Sequence, residues 1–336
     1  MKTWLYGLLT PLPVQMDEQN QKKNLCFTSY LIGLILAISS SIFIGSSFII
    51  KKIALKKISD QGNVRASAGG YSYLRQWMWW LGLLTMGIGE GANLLAYGFV
   101  PAALVTPLGA LSILVTAVLS SKFLNEKLHF VGKIGCLLCV IGSVILVVHS
   151  PRSDNISSFT ELKSRLFDHV FVSYVLIVTL SILFLKIFLV HKLGKTNVSI
   201  YLSICSGIGS LTVVFCKGVA LGFKEGISIN DMSNLGTLIF LIAMAIAGMV
   251  MQLNYLNKSL DIFSTTIVTP VYYVMFTVLV IVSSGILFKE WEKIGYQDII
   301  GCIIGFIILV IAVFMLNMYK NPSVIDKYNN RAFIDL

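Results

Sequence analysis

ISSSIFIGSSFIIKKIAL, residues 38–55, returns later in the chain as ICSGIGSLTVVFCKGVAL, residues 204–221. The two stretches align without a gap and set Ser40 on Ser206, Lys51 on Lys217, and Ala54-Leu55 on Ala220-Leu221. Further landmarks recur in the same order. Val105-Thr106-Pro107 comes back as Val268-Thr269-Pro270, each triplet is followed by an acidic residue at a helix end, Glu126 or Glu290, and Gly135-Cys136 comes back as Gly301-Cys302. Any two apolar helices look alike, but an ordered series of landmarks marks two copies of one unit.

Each copy is made of apolar blocks. The 336 residues are 56% hydrophobic and 12% charged, with a mean hydropathy of +0.82, about half the charge of a soluble domain. A block of about 20 residues crosses a ~30 Å hydrocarbon core as a helix, and only a helix satisfies its own backbone polar groups in lipid. The expected spans are 29–50, 77–99, 102–123, 131–149, 170–190, 199–223, 235–255, 263–288 and 298–318. The chain therefore reads as an all-α polytopic membrane protein of about nine transmembrane helices. Spans one to four match spans six to nine, and an odd offset of five helices sends the copies across the bilayer in opposite senses. Inverted repeats mark transporters, with the solute site near the midplane where the halves meet. The organisation expected is a lead-in over 1–28, a first repeat over 29–149, and an outside loop plus one helix over 150–198. A second repeat over 199–318 and a cytoplasmic tail over 319–336 follow. Small-residue steps at Gly87/Gly91, Ala243/Ala247 and Gly301/Gly305 predict close helix packing.

The net charge of +10 comes from Lys and Arg lying between apolar blocks rather than in one patch, so it speaks for loop topology and against nucleic acid. Sixteen basic residues fall on the side of the 51–76 loop and 10 on the other, which puts the C-terminus in the cytoplasm and the N-terminus outside. Lys51, Lys52, Lys56 and Lys57 read as topogenic or lipid-facing. The Asn155-Ile-Ser157 sequon then lies outside as a glycosylation acceptor, while Asn197-Val-Ser199 faces the cytoplasm and stays bare. The six cysteines sit in or beside apolar blocks and imply no disulfide framework. Histidines without ligand spacing and the lack of a nucleophile–base pair argue against zinc and against an enzyme. No cofactor is expected.

SSSIFIGSSFIIKK (39–52), YLRQWMWWLGLLTMGIGEGANLLAYGFVPAALVTPLGALSILVTAVLSSKFLNEKL (73–128), GKIGC (132–136), QLNYLNKSLDIFSTTIVTPVYY (252–273) and ILFKEW (286–291) resemble the NIPA family of the drug/metabolite transporter superfamily. The resemblance covers residues 30–320 or so, in motifs long enough to be specific. It implies magnesium transport at the plasma membrane or early endosomes. It also implies the superfamily's five-plus-five helix plan with the first helix missing, in agreement with an outside N-terminus. The expected partners are the lipid bilayer and a divalent cation carried as substrate, with a homo-oligomer left open.

Ionisable residues inside spans are costly, by ~2.5–3.5 kcal/mol on insertion scales, and are therefore functional candidates. Glu90 lies deep in its span and shares a helix face with Asn93 and Tyr97. Asn254, Asn257 and Asp261 repeat that spacing in the second copy, where Met251 stands in place of Glu90. One reading makes Glu90, Asn93, Asn254, Thr106 and Thr269 the oxygen donors to a cation. Ser40, Tyr97, Gln252, Asn257, Asp261 and Lys217 then complete a polar seam. Magnesium suits such a set, because it keeps several waters and needs only one or two carboxylates. A second reading pairs Glu90 with Lys217, and a third keeps Glu90 protonated. Glu126 and Glu290 read as caps or loop anchors. An organic-solute carrier and a non-transporting trafficking adaptor stay open as alternative functions.

Overall fold

The computed structural model describes residues 14–62, 64–96, 99, 102–126, 130–149, 158–225, 232–289 and 295–318. Its elements are α1 (Val14–Asp60), two 3₁₀ turns (Ala66–Ala68 and Ser72–Arg75), α2 (Trp77–Ala96), α3 (Ala102–Phe123), α4 (Phe130–Val148) and α5 (Phe159–Leu166). α6 (His169–Phe184) passes through a π-turn at Leu185–Leu189 into α7 (Val190–Leu193). α8 (Val198–Glu225), α9 (Met232–Ile262), α10 (Thr265–Phe288) and α11 (Tyr296–Met318) follow. The described residues are helical throughout their regular structure, and 7 helices are long and apolar enough to cross a membrane. The expected second and third spans are α2 and α3. α2 is diluted by Trp77, Trp79, Trp80, Glu90 and Asn93, and α3 is apolar over Ala110–Phe123.

The largest departure from expectation is α1. A span was expected over 29–50, behind a lead-in, yet the helix covers 47 residues, about 70 Å at 1.5 Å per residue. Glu18, Gln19, Gln21, Lys22 and Lys23 are good helix formers with no glycine or proline among them. At the other end, Ser47, Phe48, Lys51, Ala54, Leu55 and Ile58 form one buried face, so packing carries the helix past the lysines to Asp60.

α1 packs most extensively on α2 and next on α3. α8 does the same with α9 and α10, while α4 and α11 pack on each other. The last pair is closed by glycines from both helices. A Cβ on Gly135 would meet Leu316, one on Gly142 would meet Leu309, one on Gly305 would meet the Leu146 backbone, and one on Gly301 would meet His149. Residue numbers rise along α4 as they fall along α11, so the two helices run antiparallel. Between lipid-solvated helices there is no hydrophobic drive to associate, and close approach at small residues supplies the attraction.

The Gly301/Gly305 step therefore packs as expected, but the other two do not. Gly87 and Gly91 face open space, and α2 meets α1 through Gly82 and Gly89 instead. Ala243 and Ala247 are exposed, while Ala245 and Gly248 are buried. The small-residue rule identifies the helix and leaves its rotation undetermined. Gly305→Ala and Gly87→Ala should accordingly shift stability in opposite directions. At Gly305 the new Cβ would lie 2.8 Å from the Leu146 nitrogen, and overpacking against backbone costs about 1–3 kcal/mol. At Gly87 nothing is in the way, and alanine gains about 0.5–1 kcal/mol of helix propensity. Thermal melting in detergent, followed by fluorescence-detected size exclusion, measures both, and equal effects at the two sites would contradict this packing.

α6 and the π-turn after it connect the two halves and lie at the periphery, presenting Leu176, Ile177, Leu180, Phe184, Ile187 and Phe188 outward. The start of α6 is tied to the end of α10 by an ion pair between Asp168 and Lys289 at 3.1 Å. The Lys289 ammonium holds the Asp168 carboxyl below its ordinary range.

Candidate transport site

Glu90 is exposed and stands on the flank of α2 that also carries Trp79, Met86 and Asn93. That flank is turned toward the second half of the chain, because Trp79 Nε1 donates to Asn257 Oδ1 of α9 at 3.2 Å. The electrostatic neighbours of Glu90 are Lys51 of α1 and Tyr272 of α10. Among the described residues no cationic group comes within 4 Å of its carboxylate. Lys217, the alternative partner considered from sequence, donates to Ser284 Oγ of α10 at 3.2 Å. The two residues thus have different neighbours.

Several buried polar atoms find no hydrogen-bond partner within the protein: Asn93 Oδ1 on this flank, Asn257 Nδ2 and Gln252 Oε1 of α9, Thr269 Oγ1 of α10 and Ser206 Oγ of α8. Buried polar atoms are normally paired with protein or with water, so each orphan is a place for water or a ligand. Pro270 lies inside α10 and, lacking an N–H, leaves the Thr266 carbonyl without its usual donor. Among the described residues no three His, Cys, Asp or Glu side chains converge as a metal cage.

The expected set is divided by the rotation of the helices. Asn254, Asn257 and Asp261 do share the face of α9 that meets the first half, and Asn254 is half-buried there. Gln252 points the other way, toward α8, where a Cβ on Gly209 would come 2.6 Å from its Oε1. Ser40 is buried but satisfied, its hydroxyl donating to the Ala37 carbonyl at 2.7 Å, a common arrangement for serine inside a helix. Tyr97 and Asn155 lie outside the described residues, as does the Thr106 side chain.

Asp261 is engaged as an anchor. Arg65 Nη2 approaches its Oδ1 at 3.1 Å and its backbone carbonyl at 3.1 Å, and Ser67 N–H donates to Oδ2 at 3.0 Å. The corner between α9 and α10 is held at two further points. Lys52 donates to the carbonyls of Leu260 and Phe263 at the C-terminus of α9, where a cation complements the helix dipole. Glu126 Oε2 accepts from Ser264 Oγ and Thr265 N–H, both at 2.8 Å, and so caps α10 from the end of α3. Three charged residues of the first half therefore clasp one corner of the second, beside a cavity of about 340 Å³ lined by Lys52, Lys56, Asp60, Arg65, Glu126 and Asp261.

Sequence reasoning missed Lys51. It was grouped with Lys52, Lys56 and Lys57 as a loop charge, yet it is 0% exposed and Lys52 is bonded within the protein. The signal was present in the spacing of Phe48, Lys51, Leu55 and Ile58, at steps of three and four residues along a helix that does not stop at Ile50.

The comparisons with known proteins agree with this architecture. The family model described as magnesium transporter NIPA matches residues 28–322. The chain is 48% identical over 296 residues to a protein of Pongo abelii named magnesium transporter NIPA3, covering 88% of this chain and 72% of that one. It is 47% identical to the Homo sapiens protein of the same name with the same coverage. It is also 46% identical over 290 residues to the probable magnesium transporter NIPA4 of Arabidopsis thaliana, covering 86% and 84%. No solved structure matches. A family model spanning the whole helical region, together with identities of this size over most of each chain, establishes that the chain belongs to the NIPA family.

Proposed function

We propose that the protein transports Mg²⁺ across a membrane, through the polar seam where two inverted repeats meet. The observation that carries this reading is a carboxylate, Glu90, exposed on the same flank of α2 as the orphaned buried oxygen of Asn93. Relatives covering most of the chain are named magnesium transporters. Glu90 is the charged ligand, and Asn93, Asn254, Thr106 and Thr269 offer neutral oxygens. One carboxylate with amide and hydroxyl oxygens suits an ion that keeps most of its water. The repeat reading draws support from the matching order in which α1 packs on α2 and α3 and α8 on α9 and α10, and from the antiparallel α4–α11 pair. α2 and α3 complete nine spans in this reading.

The test is uptake of isotopic ²⁵Mg²⁺ into proteoliposomes of the purified protein, with Ca²⁺, Mn²⁺ and an organic amine as competitors. Saturable uptake that unlabelled Mg²⁺ suppresses is expected. Uptake no faster than in empty vesicles, from monodisperse protein, would refute the assignment.

The orientation follows from the 16-to-10 charge split: N-terminus outside and C-terminus cytoplasmic; the family resemblance, not the charge, points to the plasma membrane or early endosome. Asn155 then sits outside as a sugar acceptor, and Asn197 sits in the cytoplasm, where its Oδ1 accepts from Ser199 N–H at 3.0 Å at the start of α8. A cysteine at position 197 that an impermeant reagent labels from outside intact cells would reverse this topology.

A further inference from the structure

Lys51 is fully buried, at 0% exposure. Its Nζ lies 2.9 Å from Met86 Sδ and 6.0 Å from the centre of the Phe48 ring. Among the described residues no carboxylate lies within 4 Å of it. A thioether and a ring face solvate the ammonium far more poorly than water does, so burial here is expensive. A methionine or leucine would fill the same space at lower cost.

α2 nevertheless makes room for this lysine. A Cβ on Gly82 would come 2.8 Å from Lys51 Cγ and 3.2 Å from the Ser47 carbonyl, so the glycine opens a slot for the stem. The slot directs the ammonium to Met86, one helical turn from Glu90 on the same flank. The titratable groups that share its field are Glu90 of α2 and Cys205 of α8, with Tyr272 of α10 bordering the same field. Of these Glu90 alone is an acid. The repeat partner differs on both counts, since Lys217 donates to Ser284 and Met251 replaces Glu90. Lysine and acid share one field in the first half, without forming a contact ion pair.

We infer that Lys51 is the tethered counter-cation of Glu90, a positioning residue that balances the carboxylate when the carrier is empty and gives it up to the incoming divalent ion. The inference rests on the reading of the chain as a Mg²⁺ carrier. A carrier that closes around Glu90 alone buries an unpaired carboxylate, whereas Lys51 or Mg²⁺ supplies that carboxylate with a counter-charge, the ion's remaining charge being borne by the waters it keeps. Lys51 therefore matters for the return of the empty carrier and not for the movement of the loaded one.

Proteoliposomes separate these two steps. Exchange of ²⁵Mg²⁺ against natural-abundance Mg²⁺ inside the vesicle uses only loaded movements. Net uptake into a Mg²⁺-free lumen, with the membrane potential clamped, also needs the empty return. Lys51→Met is expected to keep exchange within about twofold of wild type and to slow net uptake by roughly tenfold or more. Lys51→Arg, which retains the charge, is expected to retain more of the net uptake than Lys51→Met. Net uptake by Lys51→Met at the wild-type rate would overturn the inference, and so would equal loss of both modes in a monodisperse variant, which marks a structural lysine. If Lys51→Met does not insert, Lys51→Gln takes its place under the same criteria. Wild-type vesicles that take up no ²⁵Mg²⁺ refute the transport reading itself. Wild-type uptake without any exchange leaves that reading standing and overturns the role of Lys51.

Discussion

Glu90→Gln is expected to fold and insert like the wild type while its apparent affinity for Mg²⁺ falls by roughly ten- to a hundredfold, or ~1.4–2.7 kcal/mol. Normal folding is expected because Glu90 makes no ion pair within 4 Å among the described residues. Removing its charge thus breaks no contact ion pair, although Lys51 loses the acid that shares its field. Affinity should fall because Glu90 brings a negative charge to a flank of α2 whose orphaned oxygen, at Asn93, is neutral. Amide oxygens coordinate a hard cation but do not balance its charge. Adding Lys217→Met should restore nothing, because Lys217 is bonded to Ser284. Concentration dependence of ²⁵Mg²⁺ uptake by the single and double variants gives the result directly. Wild-type affinity in Glu90→Gln, or transport regained in the double variant, would remove Glu90 from the ion's path.

Arg65→Ala is expected to destabilise the protein several times more than Asp261→Asn, although both break the same pair. The two side chains are exposed very unequally, at 49% for Arg65 and 3% for Asp261. Truncating Arg65 leaves a buried carboxylate with the Ser67 N–H as its remaining donor. Stranding a buried charge costs ~3–5 kcal/mol, and the half-exposed setting of Arg65 places this case at the low end of that range. Asp261→Asn instead leaves an arginine that water can solvate, a loss of under about 1 kcal/mol, as for a surface pair. The double variant should recover most of what Arg65→Ala loses, since it strands nothing. Melting temperatures of the four proteins in one detergent measure the asymmetry. Equal destabilisation by the two single variants, or a double variant no better than Arg65→Ala, would show that the clasp at the α9–α10 corner does not depend on this charge.

The helical class, the membrane setting and the family motifs were legible in the sequence because each rests on local information. A block of about 20 apolar residues spans a bilayer whatever surrounds it, and the blocks became α4, α8, α10 and α11 with ends close to expectation, while α9 runs on past 255 to Ile262 and α6 gives way to a π-turn after Phe184. Glu126 was legible too, as a cap at a helix end, although not that it would cap α10, so distant in sequence.

What sequence left open is the rotation of each helix about its axis, which is set by the neighbour it packs against. Hydropathy is nearly uniform around a helix in lipid, so an apolar stripe no longer identifies the inner face. For this reason Gly87 and Gly91 look like a packing step and face open space, while Gly82 and Gly89 make the contact. For the same reason Gln252 turns toward α8, away from Asn254 and Asn257. The long α1 is a related case. Four lysines beyond Ile50 look like a loop until α2 and α9 cover one side of the helix, burying Lys51 and bonding Lys52 to the end of α9. The sequence by itself determined that this is a polytopic helical membrane protein of the NIPA type with one acidic residue deep in a span. Only the tertiary structure decided which lysine shares that acid's field and which acid is instead engaged by an arginine, because those pairings depend on contacts between helices far apart in the chain.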